Sequence, residues 1–401
     1  MARKRLIYVI AGEPSGDAIG EKLITAIRNQ YGPDVQFIGL GGSAMATVGF
    51  ESNFPISELS VMGLVEILPH MRRIFARIKE TADDIVRHEP DAVVTIDSPS
   101  FAVRVVKHLI GRYNGHKIHV VAPTVWAWRP SRVHKFKKYF DHLLTILPFE
   151  PPYFQRAGLA SKFIGHPVLE YGIEVADGSQ FRANYGIDKN QRIICLLPGS
   201  RKGEISRHLS IFRDALTQYR LARGEFAVVI PTVSAIRQFV EDSVLDWSSS
   251  PIIVSTTLEK YEAMQASNLA LVASGTVALE TAIAAIPSVV AYKVSPITAF
   301  IVRRLIKVNY VNIVNLLANS EVIPECLQER CSAEILANAL GKLTGSSGEA
   351  QVRNVEPYIE QLASSEGKPS DVAARYILNV VAPETQAENN KKGRPIEGGP
   401  F

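Results

Sequence analysis

The sequence of 401 residues contains few cysteines and no long apolar run. Its three cysteines, Cys195, Cys326 and Cys331, are neither paired nor spaced like metal ligands, which favours reduced thiols in a cytoplasmic protein. No run approaches the ~20 apolar residues of a transmembrane helix, and the apolar stretch after the basic N-terminus, residues 6–11, is too short for a signal peptide. We therefore expect a cytoplasmic protein that does not cross a membrane.

Several catalytic signatures are also absent from the sequence. The nine histidines form no His-Glu-x-x-His motif and no Cys/His cluster, so we predict no metal site and no cofactor. There is no Gly-x-Ser-x-Gly turn, which argues against covalent acyl chemistry, and no Gly-Lys-Ser/Thr ending of a phosphate-binding P-loop. A net charge of +4 is too small to indicate a nucleic-acid partner.

Short apolar runs alternate with helical patterns almost to the end of the chain. This alternation predicts parallel, doubly wound α/β sheets, and about eleven strands are too many for one twisted sheet. We therefore predict two Rossmann-like domains that face a cleft. The expected boundaries are a first domain over 1–170, a linker over 171–189, a second domain over 190–350, C-terminal helices over 351–382 that cross back to the first domain, and a disordered tail over 383–401.

One predicted strand, residues 91–96, is almost wholly apolar and runs directly into Asp97. In open parallel sheets, ligands bind just past the carboxyl ends of the strands, which makes Asp97 a candidate catalytic residue. An Asp at this position is also a common cap or turn residue for the helix that follows. From this strand alone, the two interpretations are equally open.

Two loops in the second half of the chain suit a nucleotide diphosphate. Arg201 follows the first strand of that half, and its guanidinium can bind a diphosphate in bidentate fashion beside free backbone amides. Ser274, Gly275 and Thr276 open a helix, whose positive end presents backbone and hydroxyl donors. Glu280, one turn further along, is placed to accept hydrogen bonds from ribose hydroxyls. Together the two loops predict that the second domain binds a nucleotide.

Two segments of the first half are candidate phosphate sites. The first strand runs into a tight loop with two glycines, whose backbone can approach a ligand closely. A later segment, residues 123–138, combines two tryptophans with several basic residues, a combination that suits a sugar phosphate. An equally open alternative is a solvated basic helix beside two core tryptophans. The candidate phosphate-binding residues are Ser15, Gly16, Asp17, Trp128, Arg129 and Arg132.

A helix predicted after residue 61 is strongly amphipathic. Its apolar side chains are Ile67, Leu68, Met71, Ile74 and Phe75, and its basic side chains are His70, Arg72, Arg73, Arg77 and Lys79. The helix either packs on the sheet as an ordinary surface helix or lies in a membrane interface with these five apolar side chains in contact with lipid. The sequence pattern leaves both interpretations open.

Eight short motifs occur in the order typical of one protein family. They are Gly12-Glu13-Pro14-Ser15-Gly16-Asp17, Val61-Met62-Gly63, Ile96-Asp97-Ser98-Pro99-Ser100-Phe101, Val125-Trp126-Ala127-Trp128-Arg129, Leu147-Pro148-Phe149-Glu150, Phe163-Ile164-Gly165-His166, Leu197-Pro198-Gly199-Ser200-Arg201 and Ser274-Gly275-Thr276. Together they closely resemble the lipid A disaccharide synthase family, over about residues 5–380. The resemblance implies a GT-B fold and an inverting glycosyltransferase of Gram-negative bacteria, peripheral on the cytoplasmic face of the inner membrane.

The resemblance also implies substrates and residue roles. The enzyme would join UDP-2,3-diacylglucosamine to 2,3-diacylglucosamine 1-phosphate, called lipid X, at an anionic membrane surface, and a homodimer becomes plausible. Asp97 would act as general base and Asn315 would contact the donor. The family's second acid in the Asp97 motif is Ser100 here, which leaves Asp97 as the only carboxylate of that motif. Two alternatives are a UDP-sugar epimerase of similar two-domain shape and a protein that binds UDP-sugar or lipid without turnover.

Overall fold

The computed structural model describes residues 4–59, 67–305 and 308–381, with the backbone alone described at 67–71, 297 and 301–303. The predicted disordered tail, the motif at 61–63 and the side chains of Ile67, Leu68 and Met71 therefore lie outside the described residues. The chain divides into two compact units, the first made of residues up to 167 and from 363 onward, and the second made of residues 168–362. In the described part of the chain, no helix is both long and apolar enough to span a membrane.

The first unit contains a six-stranded sheet in which all neighbouring strands are parallel. Its strands are β1 Arg5–Ala11, β2 Val35–Leu40, β3 Ala92–Ile96, β4 His116–Val120, β5 His142–Thr145 and β6 Ala160–Phe163. Their order in space is β2-β1-β3-β4-β5-β6. The strand order reverses between β1 and β3, and such a switch point is where ligands of doubly wound sheets bind.

Helices cover both faces of this first sheet, as the apolar strands require. They are α1 Pro14–Tyr31, α2 Ser43–Thr47, α3 Ile67–His88, α4 Pro99–Lys107, α5 Arg132–Tyr139, α6 Pro151–Gln155 and, numbered along the whole chain, α16 Pro369–Val381. All five residues of β3 are buried. The last helix, α16, packs beside α1, where Ile24 and Ile377 share one apolar core. The chain therefore returns to the first unit after it has formed the second.

The second unit contains a second parallel sheet of six strands. Its strands are β7 Ile193–Leu197, β8 Ala227–Pro231, β9 Ile252–Val254, β10 Leu269–Val272, β11 Ser288–Tyr292 and β12 Glu325–Leu327. Their order is β12-β11-β10-β7-β8-β9, with the switch point between β7 and β10. The predicted class of two doubly wound α/β domains is thus confirmed. The sequence did not predict β12, because it has only three residues and begins with a glutamate.

The helices of the second unit include one inside the segment that was expected to be a linker. They are α7 Gly178–Asn184, α8 Lys202–Arg223, α9 Arg237–Ser243, α10 Thr257–Ala266, α11 Thr276–Ile283, α12 Pro296–Leu305, α13 Ile313–Ala318, α14 Ala333–Lys342 and α15 Ser346–Glu360. Asp177 caps α7, since its Oδ1 accepts hydrogen bonds from the amides of Ser179 and Gln180. Phe181 is fully buried. The polar residues at 177–179 are therefore a helix start within the second unit, not a linker.

Candidate active site

Asp97 lies at the switch point of the first sheet, directly after β3. Its Oδ2 accepts a hydrogen bond of 2.6 Å from the hydroxyl of Ser15, in the loop after β1. Its Oδ1 accepts one of 2.9 Å from the amide of Ser98. The N-cap of α4 is Ser98 rather than Asp97, so the carboxylate does not serve as the side-chain cap of that helix. The half-buried carboxylate is instead held in a fixed orientation at the ligand-binding edge of the sheet.

The backbone at Asp97 and Ser98 adopts an unusual conformation. Both residues have positive φ angles, 54° and 43°, which cost roughly 1–2 kcal/mol each in a residue other than glycine. The hydroxyl of Ser98 donates a hydrogen bond of 2.7 Å to Oε1 of Glu13, a second link between the β1 and β3 loops. Such strain persists only where neighbouring contacts enforce it, and it concentrates at functional sites.

The structure corrects the predicted role of Asp17 and gives Gly16 a packing role. A Cβ at Gly16 would lie 2.8 Å from the carbonyl oxygen of Ile96, so this glycine lets α1 approach β3 closely. Asp17 is only 3% exposed. Its carboxylate accepts hydrogen bonds from the amides of Gly42, Ala44 and Met45. It therefore binds the start of α2, where backbone amides lack helical partners, and the buried carboxylate is not accessible to a phosphate.

The loop between β4 and α5 brings two arginines onto one tryptophan. The guanidinium carbons of Arg129 and Arg132 lie 4.7 Å and 5.8 Å from the centre of the Trp128 ring. The Trp128 indole N–H donates a hydrogen bond of 3.1 Å to Oγ1 of Thr124, which orients the ring. Burial lowers the pKa of Arg132, and the charge of Arg129 lowers it further. An anion beside both guanidiniums would relieve this repulsion, which suits a phosphate group.

Glu150 is a buried residue of this region to which the sequence motifs assigned no role. Its Oε1 accepts a hydrogen bond of 3.1 Å from the indole of Trp126. Its Oε2 accepts bonds of 3.3 Å and 3.0 Å from the amides of Ile146 and Leu147. Glu150 thus connects the loop after β4 to the loop after β5. The sequence places Glu150 in a motif, but only the folded chain shows its contacts, because its aromatic partner is 24 residues away.

We expect the burial of Glu150 to make the protein less stable as the pH rises. Burial raises the pKa of Glu150 to about 7, so the folded protein holds this proton more tightly than the unfolded chain does. The resulting stabilisation is complete below the unfolded pKa and is lost as the pH rises through 7, a decrease of about 3 kcal/mol in the free energy of unfolding. Urea unfolding at pH 5 and pH 8 should give this decrease for the wild type and not for Glu150→Gln. Equal changes in both proteins would refute it.

Arg201 lies at the switch point of the second sheet, where it is the N-cap residue of α8. Its side chain is 56% exposed, and Nη1 lies 3.1 Å from Oε1 of Glu204. The hydroxyl of Tyr292, at the end of β11, donates to the same carboxylate oxygen at 3.1 Å. Gly199 has φ 118°, and a Cβ there would lie 2.8 Å from Oε2 of Glu204. The loop is therefore folded tightly around Glu204, while the charge of Arg201 stays accessible.

The loop after β10 presents open donors. Gly275 is the N-cap residue of α11 with φ 134°, and a Cβ there would have no atom within 4 Å. Among the described residues, neither the Ser274 nor the Thr276 hydroxyl has a hydrogen-bond partner. Glu280 differs from its predicted role, because it is buried and its carboxylate forms an ion pair with Lys260. The two switch-point loops, after β7 and β10, thus present Arg201, Ser274 and Thr276, whereas Glu280 is buried.

Asn315 is not an accessible contact, which corrects its expected role. The residue is fully buried. Its amide nitrogen donates to the carbonyl of Ile323 at 2.7 Å and to Oε1 of Glu325 at 2.8 Å. Its amide oxygen accepts from the amides of Val322 and Ile323 at 2.9 Å and 2.8 Å. Every hydrogen-bonding group that would recognise a donor is thus used to fix the turn before β12.

Some of the described apolar side chains of the amphipathic helix α3 pack against the core, and others face solvent. Ile74 packs against the core but is only half-buried, so part of its side chain stays accessible. Phe75 is 50% exposed. Arg73 and Arg77 both bind Glu58, with closest distances of 2.7 Å and 2.8 Å. Of the two predicted membrane contacts whose side chains the structure describes, Phe75 is exposed and Ile74 is half-buried.

Solved structures with the same fold are only distantly similar in sequence. A UDP-GlcNAc 2-epimerase from Neisseria meningitidis, bound to UDP-GlcNAc, is 11% identical with a TM-score of 0.59 and covers 95% of this chain and 100% of its own. The S. aureus MnaA–UDP co-structure is 13% identical with a TM-score of 0.63 and covers 99% and 100%. MurG from Acinetobacter baumannii is 13% identical with a TM-score of 0.50 and covers 95% and 99%. These similarities concern the fold alone and agree with the predicted GT-B class.

Sequence relatives are much closer. A lipid-A-disaccharide synthase from Rhodospirillum centenum is 41% identical over 96% of both chains, and one from Gluconobacter oxydans is 41% identical over 94% of this chain and 91% of its own. The family model described as lipid-A-disaccharide synthetase matches residues 7–378. Because relatives and family model agree over nearly the whole chain, this protein belongs to the lipid-A-disaccharide synthase family.

Proposed function

We propose that this protein transfers diacylglucosamine from UDP-2,3-diacylglucosamine to the 6-hydroxyl of 2,3-diacylglucosamine 1-phosphate. The reaction inverts the anomeric centre and yields the β-1,6-linked disaccharide phosphate and UDP. Family membership supports the reaction class. The observation that carries the mechanism is the Asp97 carboxylate, held by Ser15 and Ser98 at the switch point of the first sheet.

Asp97 acts as general base in this proposal. A carboxylate oxygen of Asp97 takes the proton from the acceptor's 6-hydroxyl. The hydroxyl oxygen of the acceptor then attacks the anomeric carbon of the donor, and the bond from that carbon to UDP breaks. Inversion requires one base on the face opposite the leaving group, and Ser100 offers no second carboxylate in this motif. The hydrogen bond from Ser15 fixes the direction of the remaining lone pairs. Proton transfer to a positioned base of this kind contributes roughly 10²–10⁴-fold to the rate.

The second unit binds the nucleotide in this proposal. The guanidinium of Arg201, which pairs with Glu204 but stays accessible, and the hydroxyls of Ser274 and Thr276 are polar groups at its switch point. They would stabilise the negative charge that develops on UDP as it leaves, aided by the amides at the start of α11. Gly275 leaves open space at that helix start, so a diphosphate can approach the backbone. The solved structures that contain UDP or UDP-GlcNAc support a nucleotide in this fold.

The acceptor carries a phosphate, which requires a separate positive site. Arg129 and Arg132, stacked on Trp128, supply two guanidiniums in the first unit, the unit that also holds Asp97. Arginine is well suited to this role because its planar fork binds phosphate in bidentate fashion. This arrangement would orient lipid X by its phosphate end while Asp97 acts on its 6-hydroxyl.

A product assay tests the proposed reaction. Purified protein is incubated with UDP-2,3-diacylglucosamine and lipid X, and the lipids and nucleotides are separated and identified. We expect the disaccharide phosphate and an equal amount of UDP. An epimerised sugar nucleotide without a disaccharide would instead indicate a UDP-sugar epimerase, and bound nucleotide without any product would indicate a non-catalytic binding protein.

We also propose that the protein works as a peripheral protein on the inner membrane, in part through α3. Phe75 is half exposed, and Phe75→Ser removes apolar area worth about 1.5–3 kcal/mol if it is buried in lipid. We therefore expect about tenfold weaker flotation with anionic vesicles. Ile110→Ser is the matched control, since Ile110 is 58% exposed in the same unit but outside α3. Unchanged flotation of Phe75→Ser, or equal losses in both variants, would contradict a specific role for α3.

A further inference from the structure

The buried side chain of His208 in α8 binds two loops of the second unit at once. Its Nδ1 lies 2.8 Å from the carbonyl oxygen of Pro198. Its Nε2 lies 3.1 Å from the amide nitrogen of Lys293, which donates. Because a carbonyl can only accept and an amide N–H can only donate, the imidazole is neutral with its proton on Nδ1. No part of the proposed chemistry uses this residue.

The two loops lie on either side of the predicted diphosphate site. Pro198 follows β7 and precedes Arg201, whereas Lys293 follows β11. The sheet order places β10 between β7 and β11, and Ser274–Thr276 leave the end of β10. His208 therefore connects the loop on one side of these donors to the loop on the other side.

Glu204, one turn before His208, makes a parallel connection. Its Oε1 accepts from Arg201 of the β7 loop and from Tyr292 at the end of β11. The His208 ring also contacts the Tyr292 ring, with centroids 5.4 Å apart. Two successive turns of α8 thus join the same pair of strand ends. The His208 side chain is completely buried; its hydrogen bond to Pro198 is buried as well, and the one from Lys293 is partly buried.

We propose that His208 is a positioning residue that sets the spacing of the Pro198–Arg201 loop and the Lys293 loop around the donor's diphosphate. The inference rests on the proposed function, since it assigns UDP to this edge of the second sheet. Loss of both hydrogen bonds leaves the half-buried Lys293 amide and the buried Pro198 carbonyl without these partners. The Arg201 side of the site would then shift relative to Ser274 and Thr276, and UDP would bind more weakly.

Three substitutions of His208 distinguish the effect of its two hydrogen bonds from the effect of the shape of its side chain. His208→Phe keeps a ring that can stack on Tyr292 but has no nitrogen. In His208→Asn the amide nitrogen reaches the position of Nδ1 and retains the bond to Pro198. In His208→Gln the amide oxygen reaches the position of Nε2 and retains the bond from Lys293. Phe212→Leu, one turn further along α8, is the control for a general loss of packing, because Phe212 is buried and stacks on His208.

The measurements are the Kd for UDP by calorimetry, the KM values for donor and acceptor, and the Tm. We expect His208→Phe to raise the Kd for UDP and the donor KM about tenfold with an unchanged acceptor KM. The Kd for UDP and the donor KM of His208→Asn and His208→Gln should lie between the values of His208→Phe and of the wild type. Phe212→Leu should lower the Tm and leave the donor KM unchanged.

The inference is overturned if folded His208→Phe binds UDP like the wild type, or if Phe212→Leu raises the donor KM equally. If His208→Phe does not fold, His208→Asn and His208→Gln test the inference instead. A donor KM equal to that of the wild type in both variants would overturn the positioning role of His208. A wild-type protein that neither binds UDP nor forms product would contradict the proposed function itself. Wild-type turnover with unaffected His208 variants would contradict only the role of His208.

Discussion

Replacement of Asp97 by Asn is expected to lower kcat by roughly 10²–10⁴-fold, the contribution typical of a positioned general base. The amide oxygen can keep the hydrogen bond from the Ser98 amide, and the Ser15 hydroxyl can rotate to accept from the amide nitrogen, so the geometry of the site changes little. It cannot take a proton at neutral pH, so the acceptor hydroxyl would attack without assistance. The KM values should stay within a fewfold, because neither the phosphate site at Arg129 and Arg132 nor the nucleotide loops are altered.

Two further variants serve as comparisons for the kcat of Asp97→Asn. Ser100→Ala removes the exposed side chain that stands where the family's second acid is expected, and it should leave kcat unchanged. Ser15→Ala removes the hydrogen bond to Oδ2 of Asp97 and should lower kcat by about tenfold through orientation alone. Thermal unfolding must show that each variant is folded. Near-wild-type turnover of folded Asp97→Asn would refute its role as the base.

Replacement of Asn315 by Ala is expected to reduce the free energy of unfolding by about 3–5 kcal/mol. The side chain is fully buried and uses its four hydrogen bonds within the turn before β12. Without it, the buried carboxylate of Glu325 and the amides of Val322 and Ile323 lose a partner that water cannot replace. The damage should therefore appear as lost stability of the second unit rather than as a specific defect in donor binding.

Urea denaturation measures this loss, and the chain offers a matched control. Asn338 is exposed in α14, so Asn338→Ala should change the free energy of unfolding by less than about 0.5 kcal/mol. A stable Asn315→Ala variant with a raised donor KM would support the direct donor contact that the sequence suggested. A strongly destabilised variant would support the buried role that the structure assigns to this residue.

The position of Asp97 could be predicted from the sequence because it depends on local pattern. A continuous apolar run marks a strand covered on both faces, and the first polar residue after it must lie at the edge of the sheet. The same argument placed Arg201 and Ser274 at strand ends, where the structure has them. Parallel strands all end at the same edge, so the approximate location of each candidate follows from the order of apolar and polar residues alone.

The errors at Asp17 and Asn315 have one physical cause. Both residues are of types that bind ligands; Asp17 stands in a motif that resembles the family, and Asn315 received its role from the same resemblance. Their side chains, however, are used by backbone groups of the protein, up to 28 residues away for Asp17. Buried polar groups must be paired, and the sequence does not tell which polar side chain pairs with backbone and which stays free. For the same reason the sequence did not predict the contacts of Glu150 and His208, because these include groups in loops after other strands.

The amino-acid sequence by itself determined the fold class, the family and the strand ends at which the candidate residues lie, because periodicity and short motifs are local properties. Tertiary structure alone decided which of those residues are free to act. It linked Ser15 to Asp97 across 82 positions of the chain and His208 to Lys293 across 85. It also buried Asp17 and Asn315 among backbone partners. The physical reason is that hydrogen bonds and burial depend on proximity in space, which arises only when the strands are ordered into sheets.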